Sequence, residues 1–146
     1  AYAPMKGMGG ADRMLAIDYG EKNIGLACSD ELGLTVRPLR SVPNSGRKNL
    51  LKTLRDTVRT LGIHRVVLGI PLNMDGTRGE AALRMERLRE ELEAGVGVPL
   101  TGIDERLSTV EAQELWQGMS PKRQKKYRTV DSLAAALILE RYLKET

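Results

Sequence analysis

A single cysteine, Cys28, in a chain of 146 residues excludes any internal disulfide. No apolar run approaches the roughly 20 residues needed to cross a bilayer as a helix. A reduced, cytoplasmic protein is the expectation, with Cys28, set among small apolar residues and without a cationic neighbour in sequence, reading as core packing. Histidine is as scarce. His64 stands alone at the start of an apolar run, and no serine lies in an elbow motif, which argues against a Ser-His-Asp hydrolase. There are no internal repeats and no boundary between domains. The segment AYAPMKGMGGAD lacks the long apolar core of a signal peptide and reads as an expression remnant or loose tail. The expected organisation is therefore a tail over residues 1–13 and one domain over 14–146, a length that buries a substantial core without staples.

What is present is a patterned chain with a modest cationic excess. The net charge of +4 and pI near 9.4 are mild evidence for a polyanionic partner, nucleic acid above all, and no membrane. MLAID, NIGLACS and TVRPLRS read as three short strands joined by turns at 19–22 and 30–33, an antiparallel meander. Leu50, Leu54, Val58 and Leu61 recur at helical spacing before Gly62. HRVVLGIP is a strand ended by Pro71, and the loop LNMDGTRG leads to a helix whose apolar face is Ala81, Met85, Leu88 and Leu92, closed by Gly95 and Gly97. VPLTGID makes the last strand, and Ser108 with Glu111 forms a capping box for a helix reaching about Trp116. The basic PKRQKKYR then interrupts the pattern before VDSLAAALILERYL, a helix apolar nearly all round and hence buried between a sheet and other helices. The order βββαβαβαα makes an α/β fold in which the two later strands lie parallel to the first.

Several acids occupy unusual places. Asp18 ends the first strand, Asp104 and Glu105 end the last, and Asp131 opens the terminal helix. Each has a plain structural reading: a hairpin acid, solvated loop acids, a first-turn acid favoured by the helix dipole. Together they are different, because the carboxyl ends of parallel strands share one edge, where sites form. Clustered carboxylates without cysteine or histidine suit Mg2+ or Mn2+, and the cation resolves the repulsion among them. Asp104 and Glu105 are strand neighbours and point to opposite faces, so one of them joins the site; Glu105 is the choice.

LAIDYGEKNIGLACSD, VVLGIPLNMDGTRG, IDERLSTVEA and VDSLAAALIL resemble, in this order and spacing, the signature segments of the YqgF family, also called RuvX and grouped with the Holliday junction resolvases. The resemblance runs from about Met14 to Leu143. It implies an RNase H-like fold with a mixed five-stranded sheet, shared with the RuvC resolvase, and a metal-dependent nuclease tied to maturation of the 5′ end of pre-16S ribosomal RNA. It also implies Asp18, Glu105 and Asp131 as catalytic metal ligands in a two-metal reaction, the same acids the pattern selects. One departure stands out: resolvases of the wider superfamily often carry another acid one turn along the last helix, where this chain has Ala134 and Ala135.

Around the acids, Asn73, Thr77, Arg78 and Arg106 are candidate substrate contacts, although Asp75-Gly76 is also an ordinary turn. Lys122, Arg123, Lys125, Lys126 and Arg128, with Tyr127 available to stack on a base, read either as solvated surface or as a substrate clamp beside Asp131. The alternatives to the ribosomal RNA nuclease are a Holliday junction resolvase, which needs a two-fold dimer, and a binding module without catalysis, acting in transcription or on the ribosome. An actin-like kinase needs two such domains around its nucleotide, and this chain has the length of one. A monomer or weak homodimer is expected.

Overall fold

The computed structural model describes residues 13–105 and 108–145, with backbone alone at 108 and 109. Arg106, the Ser108 side chain of the expected capping box and all but the last residue of the N-terminal tail lie outside the described residues. Arg13, at the boundary drawn for that tail, already donates a hydrogen bond to the Leu61 carbonyl.

The five strands are β1 (Met14–Tyr19), β2 (Asn23–Ser29), β3 (Val36–Pro43), β4 (Arg65–Ile70) and β5 (Leu100–Asp104); the helices are α1 (Arg47–Leu61), α2 (Glu80–Val96), α3 (Ser108–Gln117), α4 (Pro121–Tyr127) and α5 (Val130–Glu145). The sheet order is β3-β2-β1-β4-β5. The first three strands form the antiparallel meander, and β4 and β5 join in parallel. β1 and β4 are apolar on both faces because the sheet is covered on both faces. Leu15, Ile17, Leu26, Val66 and Leu68 pack with Leu50, Leu54, Leu88 and Leu92 of α1 and α2. On the opposite face, Ala16, Val67 and Ile103 pack with Ile138 and Leu139 of α5. The edge strand β3 carries Pro38, Arg37 and Arg40, residues that discourage further strand pairing.

Four details differ from the sequence pattern. The buried face of α2 is Ala82, Leu88 and Leu92, with Met85 partly buried against the same core, so the expected stripe holds except at its first position, where Ala82 is buried and Ala81 exposed. Gly95 does not end α2; it lies within the last turn, where a Cβ would come 2.7 Å from Leu51 Cδ1, and its bareness lets α1 and α2 approach. Gly97, with φ +89, makes the left-handed cap. PKRQKKY folds as α4: Ser120 accepts from the Arg123 amide as N-cap and Pro121 occupies the first turn, a Ser-Pro start signal that the charge run obscured. Finally, strand pairing gives the buried Cys28 a cationic neighbour after all, with Arg37 Nε 3.3 Å from its Sγ.

Candidate active site

Strand alternation places the acids. Ala16 and Asp18 face α5, whereas Ile17 and Tyr19 face α1 and α2. By the same alternation Glu105, two residues beyond Ile103, falls on the α5 side, and Asp104 on the other. The Glu105 amide donates to the Ile70 carbonyl at 3.0 Å, which extends the β4–β5 ladder by one bond and fixes where the side chain starts. Asp18 and Glu105 meet there in a side-chain hydrogen bond.

Two glycines make the space. Gly25 is the β2 partner of Asp18, and a Cβ on it would collide with the Asp131 carbonyl, so the first turn of α5 presses onto β2 only because the side chain is missing. Gly69 of β4 does the same for Glu105: a Cβ there would lie 2.8 Å from Glu105 Oε2.

Asp131 is held by its own helix terminus. Thr129 Oγ1 accepts from the Ser132 amide at 3.0 Å and caps α5. The fully buried Ser132 hydroxyl donates to the Leu39 carbonyl of β3, beside the irregularity where β3 slips against β2 around Gly25. At the far end of the site Arg141 of α5 donates to the Asp104 carbonyl.

The electrostatics show strain among these groups. Burial, and then the neighbouring Asp18 charge, push the Glu105 carboxyl up to about 9. Burial also raises Asp18, with a further upward push from Asp131, and Asp131 is itself raised by burial. The protonated Glu105 carboxyl therefore donates to the Asp18 carboxylate. Glu105 is only 8% exposed, and its Oε2 has no hydrogen-bond partner among the described residues. A buried, unsatisfied oxygen beside two further carboxylates is a donor set for a hard cation, and it fits Mg2+ or Mn2+. The trio is not a closed cage: among the described residues no three His, Cys, Asp or Glu side chains converge to metal-binding distance. Asp18 and Glu105 touch, while Asp131 acts on Asp18 through its charge.

The other candidates divide. Lys122, Arg123, Lys125, Lys126 and Arg128 are exposed and have no ion-pair partner among the described residues. Tyr127 packs half-buried against the cluster of Leu133, Ala134 and Trp116, so only part of its ring is open. Arg128 has φ +72 and ψ −66, and Thr129 N–H donates to the Tyr127 carbonyl at 2.9 Å across it, which is a strained γ-turn on a residue with a Cβ. In the 71–79 loop the polar groups serve one another: Asn73 Nδ2 donates to Thr77 Oγ1 at 2.9 Å, Thr77 donates to Asp75 Oδ1, and Arg78 pairs with Glu86 at 2.9 Å. What sequence reasoning missed is the pair of glycines, legible only once the strands are paired.

Comparison with known proteins agrees with this architecture. A protein of Syntrophus aciditrophicus named "Putative pre-16S rRNA nuclease" is 41% identical over 131 residues, covering 90% of this chain and 87% of the relative. The structure resembles Thermus thermophilus RuvC in complex with a Holliday junction substrate, with TM-score 0.51 and 13% identity over 92% of this chain and 96% of that one. It also resembles the fowlpox virus resolvase bound to Holliday junction DNA, with TM-score 0.56 and 13% identity over 91% of this chain and 97% of that one. The fold is RNase H-like. The profile of the family described as RuvX, Holliday junction resolvase, matches residues 12–145, and on that match and the 41% identity the chain belongs to the RuvX family.

Proposed function

We propose that the protein is a divalent-metal-dependent nuclease that hydrolyses phosphodiester bonds in precursor 16S ribosomal RNA, in 5′-end maturation. The observation that carries this reading is the Asp18–Glu105 contact, in which a half-buried and a buried carboxylate meet and one Glu105 oxygen is left without a partner among the described residues. Asp18, Glu105 and Asp131 would hold Mg2+ or Mn2+. Metal held there would supply Lewis-acid activation of a water and charge stabilisation at the leaving 3′ oxygen, and the products would carry 5′-phosphate and 3′-hydroxyl ends.

The remaining work falls to the protein. The strand holds Asp18 rigidly, Gly25 and Gly69 keep its two partners close, and the exposed cations of α4 with Arg128 grip substrate phosphates. Arg106, and Asn73, Thr77 and Arg78 once their turn contacts exchange for phosphate, complete the binding surface, with Tyr127 at its margin. No described helix is long and apolar enough to cross a membrane, and the reading places the protein in the cytoplasm as a monomer or weak homodimer.

Labelled RNA and DNA incubated with Mn2+, and in parallel with chelator, test this directly. Cleavage of RNA that requires metal and disappears in Asp18→Asn is the expected result. The family description favours a second reading, a resolvase on branched DNA. That activity cuts two strands symmetrically, so a stable two-fold dimer in solution and paired nicks on a four-way junction would decide for it. Binding without cleavage of any substrate would leave a nucleic-acid-binding module.

A further inference from the structure

Arg84 and Arg87 differ from the other arginines on their face of the sheet. Arg47 pairs with Glu91, Arg59 with Asp56, Arg78 with Glu86 and Arg89 with Glu93, and Arg55 donates to the Gly95 carbonyl. Arg84 and Arg87 are exposed and have no partner among the described residues, although Glu80 lies four residues before Arg84 at the spacing that suits an ion pair. Both border a cavity of about 280 Å3, together with Tyr19, Arg47, Met85 and Leu88. The floor is apolar: Leu88 is buried, and Tyr19 and Met85 are partly buried against the α1–α2 core. The rim is cationic.

The position of this cavity gives it meaning. Tyr19 follows Asp18 in β1, so it reaches the same carboxyl edge of the sheet but faces α1 and α2 rather than α5. Because the two side chains take opposite faces, a strand whose phosphate sits at Asp18 reaches the cavity by crossing the carboxyl edge of the sheet. An apolar floor that includes an aromatic ring, rimmed by two guanidiniums without a partner among the described residues, matches a base beside its phosphate. The volume lies just below the roughly 300–1,000 Å3 of pockets that enclose drug-sized ligands, so it takes one nucleotide and not a duplex.

We propose that the cavity formed by Tyr19, Met85 and Leu88 under Arg84 and Arg87 binds one nucleotide of a single-stranded nucleic acid, next to the phosphate that reaches Asp18. The bound strand then passes over the sheet edge, with α4 contacting it on one face and α2 on the other. The inference rests on the nuclease reading for its substrate, and it defines that substrate as single-stranded where it enters.

The test uses metal-free protein, in which no cleavage occurs, and the anisotropy of a short fluorescent single-stranded RNA titrated across salt concentrations. Arg84→Ala/Arg87→Ala is expected to weaken binding and to reduce the slope of log affinity against log salt by about 1.4, two single-strand contacts. Tyr19→Leu is expected to weaken binding with the slope unchanged; Tyr19→Phe, which keeps the ring, should bind like the parent. A blunt RNA duplex should be insensitive to all three. Parental affinity and slope in the double variant overturn the site while the nuclease reading stands. Equal losses for duplex and single strand overturn the single-nucleotide assignment. Failure of the parent to bind any RNA or DNA strand removes the nuclease reading, and this proposal with it.

Discussion

The bare Cα of Gly69 is what lets Glu105 lie inside the sheet edge: a methyl on Gly69 would stand 2.7 Å from Glu105 Cδ and 2.9 Å from Ile138 Cδ1. Gly69→Ala must therefore push the carboxylate out or shift α5. The expected result is a loss of about 1–3 kcal/mol of stability, as for other overpacked positions, with cleavage reduced and the rise in melting temperature on adding Mn2+ diminished. Thermal melts with and without Mn2+ measure both. A variant with the parental melting shift would show that Glu105 does not need this position.

Removing charge while keeping shape separates the acids. Asp18→Asn and Glu105→Gln are each expected to lower the cleavage rate by about 100-fold or more, the size of effect seen when a preorganised electrostatic group is lost. Asp104→Asn, on the other face, should stay within a few-fold of the parent. Single-turnover rates on the same RNA compare the three. A parental rate in Glu105→Gln with a large loss in Asp104→Asn would reverse the assignment.

In the absence of metal the crowded acids make stability fall as the solution becomes alkaline. Glu105 titrates near its ordinary 4.5 when unfolded and near about 9 when folded, so between those values the folded state holds a proton that the unfolded chain has released. The stabilisation is complete below the lower value and is lost as pH rises through the upper one, by up to about 1.4 kcal/mol per pH unit. Urea melts at about pH 6 and about pH 8 should show the decline, and Glu105→Gln should flatten it. A parent whose stability rises over this interval would show that Glu105 is ionised in the fold.

Arg128 makes opposite predictions for stability and binding. Its φ of +72 is a conformation that side chains with a Cβ disfavour. Arg128→Gly should stabilise the fold by about 1 kcal/mol, the released strain less the extra freedom glycine gains when unfolded. The same change should reduce the salt slope of RNA binding by about 0.7, one phosphate contact. An unchanged slope would make Arg128 a turn residue and nothing more.

Much of this protein is written in local sequence. β1 and β4 are continuous apolar runs, α1 repeats leucine at helical spacing, and α5 is apolar nearly all round. Burial pattern and period depend on neighbours along the chain, so these elements and the parallel placing of β4 and β5 were legible. So was the opposition of Glu105 and Asp104, because strand alternation is a property of the backbone. The face of α2 was legible through Met85, Leu88 and Leu92 but not at its first turn, since Ala81 and Ala82 are alike in sequence and only packing on β4 and β5 decides which is buried. Nor was α4, where charge masked a Ser-Pro cap. The rest belongs to tertiary structure. Gly25 and Gly69 look like any strand glycine until β2 meets α5 and β4 meets Glu105, and Arg87 looks like any helical arginine until Glu91, four residues on, is seen paired with Arg47. Sequence set which acids and cations exist and which face each takes; the distances at which they meet were decided by strand pairing and by the missing Cβ atoms, because those depend on residues far apart in the chain.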